Sequence, residues 1–118
     1  MTTKYEALIE RFLLSDAVHS AAARMILRAL QEDAIESLAD TYYAGVSDEQ
    51  AIALLELIAE IGGYEALNML RDIVRHELKR RDVRLTAAAG LLHNSDNLSK
   101  KERKTLERFV SKYASRND

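Results

Sequence analysis

One pattern recurs three times along this chain at intervals of about 33 residues, and it restricts the fold more than any single motif does. Ser15-Asp16 opens a segment in which Ala21, Ala22, Met25 and Ile26 recur at helical spacing. Shifted by 32 residues, from Ser15 to Ser47, the positions are Ala53, Leu54, Leu57 and Ile58. Shifted by 66, from Asp16 to Asp82, they are Ala87, Ala88, Leu91 and Leu92, and Ser20-Ala21-Ala22-Ala23 falls on Thr86-Ala87-Ala88-Ala89. Repeats of this length with two helices each predict an α-solenoid, in which every unit buries its apolar face against the next.

The whole chain reads as consecutive helices. Thr3 with Glu6 has the form of a capping box ahead of Tyr5, Leu8, Ile9, Phe12 and Leu13. Ser15 and Asp16 can cap a second helix, ending near Leu30, whose apolar face is Val18, Ala21, Ala22, Met25, Ile26 and Ala29. A third over 33–44 carries Ile35, Leu38, Ala39 and Tyr42 and stops at Gly45. Ser47 with Gln50 makes another capping box, and Ala51, Leu54, Leu55 and Ile58 line the fourth helix until Gly62 and Gly63. Two adjacent stripes from Tyr64 to about Lys79, namely Ala66, Met69, Ile73 beside Leu67, Leu70, Val74, Leu78, predict the most buried helix. Asp82 is placed to cap a sixth helix running through His93, with Val83, Ala87, Ala88, Leu91 and Leu92 inward. A loop over 94–98 follows, and Ser99 with Glu102 opens a seventh helix along Leu106, Phe109, Val110 and Tyr113.

No window alternates with period two and the chain contains no proline, so the expected class is all-α. The expected architecture is one domain over residues 1–118: a short right-handed α-α superhelix of about three antiparallel helical pairs with a C-terminal capping helix. A compact helical bundle is the alternative arrangement.

Ile61-Gly62-Gly63-Tyr64-Glu65-Ala66-Leu67, with Leu70 and then Asp82-Val83-Arg84, Ala87-Ala88 and Leu91, resembles the short HEAT-like repeat named after phycobilisome lyases. The resemblance covers about a third of the chain as one strong unit; Val18-His19 and Gln50-Ala51 stand where the family has Val-Arg. It implies a binding scaffold whose second helices line a concave surface. It also implies that Arg84, in the Val-Arg position, is structural.

The residues that carry chemistry are scattered. With no cysteine there is no disulfide framework, thiolate nucleophile or cysteine metal site, which fits a reducing compartment, and a cytoplasmic protein is expected. Glu6, Glu10 and Arg11 break the N-terminal apolar run, so neither a signal peptide nor a membrane span is expected there. Of His19, His76 and His93, which fall on different predicted helices, only His76 has a possible ligand at i,i+4 spacing, in Asp72. Glu56 and Glu60 are one turn apart but lack the Glu-x-x-His companion of a di-iron site. Gly62-Gly63 lacks the phosphate-loop pattern. No metal, no cofactor and no enzymatic activity are expected, a lyase-like reaction on a chromophore included. Tyr42-Tyr43 stands apart, because adjacent helical residues cannot both face one core.

Charge is divided unevenly. Residues 1–63 hold four Lys or Arg against eleven Asp or Glu, a net −7, and residues 64–118 hold thirteen against eight, a net +5, which together give the formal −2. In the basic half, Lys101, Lys104, Arg108 and Lys112 follow one helical ridge, and Lys79-Arg80-Arg81 adds to it. These could meet an acidic protein, nucleic-acid phosphate or the acidic half of a second copy. Under the repeat alignment, Arg24 and Arg28 occupy the positions of Glu56 and Glu60, with Gly90 at the first of them in the third unit. The row either orients a partner helix or closes internally as ion pairs. The expected function is a non-enzymatic protein-interaction module or small adaptor, with nucleic-acid binding through the basic half as the alternative and charge-driven homo-oligomers possible.

Overall fold

The computed structural model describes residues 4–114. They form seven α-helices, α1 (Glu6–Leu14), α2 (Ala17–Leu30), α3 (Glu32–Ala44), α4 (Asp48–Ile61), α5 (Tyr64–His76), α6 (Arg81–His93) and α7 (Lys100–Ala114), with a 3-10 turn over Ser95–Asn97 before the last. The protein is all-α, with no strand among the described residues. No described helix is long and apolar enough to cross a membrane.

The ends of the helices follow local chemistry. Asp16 caps α2 by accepting the His19 amide N–H at 3.0 Å, satisfying one of the donors that a helix start leaves free. Ser47 and Gln50 make a reciprocal capping box on α4, with the Gln50 amide donating to Ser47 Oγ at 3.2 Å and the Ser47 amide to Gln50 Oε1 at 3.4 Å. The third box is half formed: the Glu102 amide donates to Ser99 Oγ, but the Glu102 carboxylate turns to Arg71 instead. The Thr3 cap lies outside the described residues. Asp82 sits in the first turn of α6, whose cap position is held by Arg80 without a side-chain cap. Gly45 and Gly62 end α3 and α4 at φ of 105° and 69°, values that favour glycine. α2 and α3 are joined by Gln31 alone, a non-glycine residue at φ 53°.

The core is one continuous apolar cluster with Leu54, Leu55, Leu57 and Ile58 of α4 fully buried at its middle. α4 meets α2, α3, α5 and α6, and its contact with α6 is the most extensive between any two helices. α5 packs on α6 and α3, and α7 closes against α6. α1 and α2 pack mainly on each other, with smaller contacts from α2 to α3 and α4. The Leu67 and Leu70 face of α5 and the Val83, Ala87 and Leu91 face of α6 are buried, with Val74 half-buried, and the two helices pack on each other. Leu78 falls beyond the end of α5 and is exposed.

One expected face is turned the other way. Val18, Ala21, Ala22, Met25, Ile26 and Ala29 of α2 all lie outside, with Val18 76%, Met25 72% and Ile26 50% exposed. The buried residues of α2 are Ala23 and Leu27, at 1% and 0%, flanked by half-buried Ser20 and Leu30. Ser20 Oγ donates to the Phe12 carbonyl at 2.6 Å and ties this side of α2 to α1. α2 thus carries two stripes at helical spacing, and the one with fewer large apolar residues faces the core.

Candidate functional site

Three of the four residues of the expected row come together. Arg24 of α2, Glu56, Ala59 and Glu60 of α4, and Leu85, Thr86, Ala89, Gly90 and His93 of α6 line an open groove of about 450 Å³. Buried Ala59 and Gly90 lie at its base, and Leu85 and Ala89 stand beside the polar side chains that line the rest. Gly90 lets α6 approach α4, since a Cβ there would stand 2.9 Å from Ala59 Cβ. Asn94 donates from Nδ2 to the carbonyls of Ala59 and Gly90, at 3.1 Å and 2.9 Å, and fixes this end of the groove.

The charges divide between internal pairing and open surface. Arg24 donates to Glu60 Oε1 across α2 and α4, and both side chains are partly exposed. Glu56 is exposed and has no ion-pair partner among the described residues. Arg28 is also exposed, makes no pair with Glu60 and is not part of the groove wall. The row therefore closes at Arg24 and stays open at Glu56.

The C-terminal ridge is separate from this groove. Lys101, Lys104, Arg108 and Lys112 are exposed along α7, and Lys101 borders a second pocket, of about 400 Å³, that also includes Arg71, Val74, Arg75, Leu91 and Glu102. There Arg71 holds Glu102 with two parallel bonds, Nε to Oε2 at 2.7 Å and Nη2 to Oε1 at 3.1 Å. The Glu102 carboxylate raises the Arg71 pKa above its usual value.

Lys79-Arg80-Arg81 is not the open basic patch that its sequence suggests. Arg80 turns inward: Nη1 donates to the Val46 carbonyl at 3.2 Å, Nε lies 3.4 Å from Asp48 Oδ1, and the guanidinium stands 5.6 Å from the Tyr42 ring centre. Arg81 donates to the Tyr113 carbonyl at 3.0 Å. Arg84 donates from Nε to the Val74 carbonyl at 2.6 Å and lies 4.6 Å from the Phe109 ring centre. Arg84 therefore joins α5, α6 and α7.

A third pocket, about 510 Å³, unites two features noticed separately in the sequence. Tyr42, Tyr43 and Gly45 from α3 and its end meet Asp72, Ile73, His76, Glu77 and Arg80. As adjacent helical positions require, Tyr42 is buried and Tyr43 is 61% exposed, and their rings stand edge to face 5.0 Å apart. Burial pushes the Tyr42 phenol above its usual pKa. His76 Nδ1 lies 3.0 Å from the Asp72 carbonyl and, as the donor, leaves Nε2 as the acceptor in the neutral ring. Only the contact of α3 with α5 brings the two pairs together, and no spacing within either helix encodes it. Among the described residues, no group of three His, Asp or Glu side chains is arranged to hold a metal. The chain matches no family model, no curated protein and no solved structure.

Proposed function

We propose that the chain is a non-enzymatic protein-interaction module, a short stack of HEAT-like helical pairs that receives a partner segment along its second helices. The observation that carries this reading is the meeting of Arg24, Glu56, Glu60 and Gly90, from α2, α4 and α6, in one groove. The order of contacts supports a stack, since α2 meets α4, α4 meets α6 and α3 meets α5. A floor of small residues admits an approaching helix or extended peptide closely, and unpaired Glu56 at the rim selects a partner with Lys or Arg at that point. The test is capture from nuclease-treated lysate on the immobilised chain. A protein retained by the native chain and by Lys101→Glu/Lys104→Glu, but lost with Glu56→Lys, is expected. A partner equally well held by Glu56→Lys would reject the groove.

A second reading, nucleic-acid binding, is favoured by exposed Lys101, Lys104 and Arg108 on one face of α7, none of them ion-paired among the described residues. It predicts duplex or single-strand binding that weakens steeply with salt and is lost in Lys101→Glu/Lys104→Glu/Arg108→Glu. The net −7 of residues 1–63 opposes it, so the protein-partner reading is the one adopted.

A further inference from the structure

The pocket between the ends of α3 and α5 contains two pairings of ring and carboxylate, one closed by an arginine of the chain and one open. Tyr42 and Glu77 hold a cation: the Arg80 guanidinium stands 5.6 Å from the Tyr42 ring centre, and Arg80 Nε lies 3.8 Å from Glu77 Oε2. The ring attracts the cation through its quadrupole and the carboxylate through its charge. Tyr43 and Asp72 line the same pocket and repeat the combination. Tyr43 is 61% exposed, Asp72 is exposed, and no Lys or Arg of the described chain pairs with either. Burial and, second to it, the Asp72 charge push the Tyr43 phenol above its usual pKa, so the carboxylate lies within electrostatic reach of the ring. His76 adds an acceptor: with Nδ1 turned to the Asp72 carbonyl at 3.0 Å, Nε2 of the neutral ring keeps its lone pair.

We propose that Tyr43 and Asp72 form a binding site for an organic cation, an alkylammonium or guanidinium group carried on a Lys or Arg side chain of a peptide or on a free amine. Charge selects the sign. Arg80 is neutralised by Glu77 and by Asp48, whose Oδ1 lies 3.4 Å from its Nε, which leaves the Asp72 carboxylate as the uncompensated charge of the pocket. An anion there would meet that carboxylate and the negative face of the ring, while a cation is favoured by both. Shape agrees with charge. About 510 Å³ admits several methylenes as well as a charged head, and buried Ile73 offers such a stem an apolar wall. The site shares no residue with the Arg24 groove and does not rest on the reading of that groove.

The test titrates the full chain with n-butylammonium chloride, with an acetylated and amidated Gly-Lys-Gly peptide, and with n-butanol as the neutral control. The side-chain NMR signals of Tyr43 and His76 are followed, and those of His76 alone where Tyr43 is replaced. Both cations are expected to shift these signals saturably, and n-butanol is not. Asp72→Asn and Tyr43→Leu, at exposed positions, should each weaken both cations about tenfold with unchanged helix content. Tyr43→Phe keeps the ring and should retain binding. A peptide held more tightly than butylammonium assigns the site to a side chain of a protein partner, and one held no more tightly assigns it to a free amine; both outcomes uphold a cation site. The absence of a saturable shift with either cation would overturn the proposal. So would n-butanol binding as well as the cations, or full affinity in Asp72→Asn or Tyr43→Leu. Glu56→Lys lies outside this pocket and should leave the titrations unchanged, so loss of groove binding and loss of cation binding are read separately.

Discussion

Gly90 of α6 faces Ala59 of α4 so closely that a Cβ at position 90 would lie 2.9 Å from the Ala59 Cβ and 3.3 Å from Leu70 Cδ1. The separation of the two helices with the most extensive contact in the molecule is therefore set by a glycine and an alanine. Gly90→Ala should gain about 0.5–1 kcal/mol of helix propensity but lose about 1–3 kcal/mol to overpacking. A net loss is expected, read as a lower urea midpoint. A gain would mean that α4 and α6 can move apart without cost.

The orientation of α2 makes a paired prediction. Leu27→Ala empties a fully buried site and should cost about 2–5 kcal/mol. Met25→Ala, on the outer stripe, should change monomer stability by less than about 0.5 kcal/mol. Chemical denaturation at a dilution where the chain is monomeric checks both. Equal losses at the two positions would show that α2 is rotated from the orientation described above.

Arg24 and Glu60 join α2 to α4, whereas Arg28 joins nothing in the described chain. A double-mutant cycle on Arg24 and Glu60 should return a coupling of about 0.2–1 kcal/mol, the range for partly exposed pairs. The same cycle with Arg28 in place of Arg24 should return none. Equal couplings would mean that both arginines share the carboxylate.

The bidentate contact of Arg71 with Glu102 ties α7 to α5. Glu102→Gln keeps the shape and removes the charge, and it should destabilise the docking of α7 by about 1 kcal/mol. Faster amide exchange confined to α7 is the expected signature.

The Asp16 carboxyl is held below its usual value of 3.8, first by the His19 amide N–H and then by the His19 side chain. Because its folded value is the lower one, the capping contribution is present above the ordinary aspartate value and is lost as pH falls through the lowered one. A carbon-detected NMR titration should therefore place the Asp16 midpoint below 3.8, and Ser20→Ala, which removes a different contact, should not move it.

Periodicity fixed which segments are helical, because apolar spacing and end-capping act within a few residues. It also identified the buried faces of α5, whose two adjacent stripes make one broad apolar surface, and of α6. It failed at α2, which has two usable stripes. The choice between Met25 and Leu27 is made by α1, through Phe12 and the Ser20 hydroxyl bond, and by what covers each helix from outside. The site was legible in the same proportion. Repeat alignment placed Arg24, Arg28, Glu56, Glu60 and Gly90 in one row, but Arg28 lies outside the groove, and which charges pair depends on the offset between α2 and α4. The pocket of Tyr42, Tyr43, Asp72 and His76 depends on how α3 crosses α5, a contact between residues far apart in sequence.

The first two helices hold chiefly to each other and touch the remainder through smaller contacts, of α2 with α3 and α4 and of α1 along a pocket that it shares with the end of α3. Their joint to the rest is Gln31, alone and in a backbone conformation that disfavours side chains. Such a unit opens as a body at a free-energy cost below that of global unfolding. In native-state hydrogen exchange, α1 and α2 should thus form the first cooperative block to lose protection, ahead of α4 and α6.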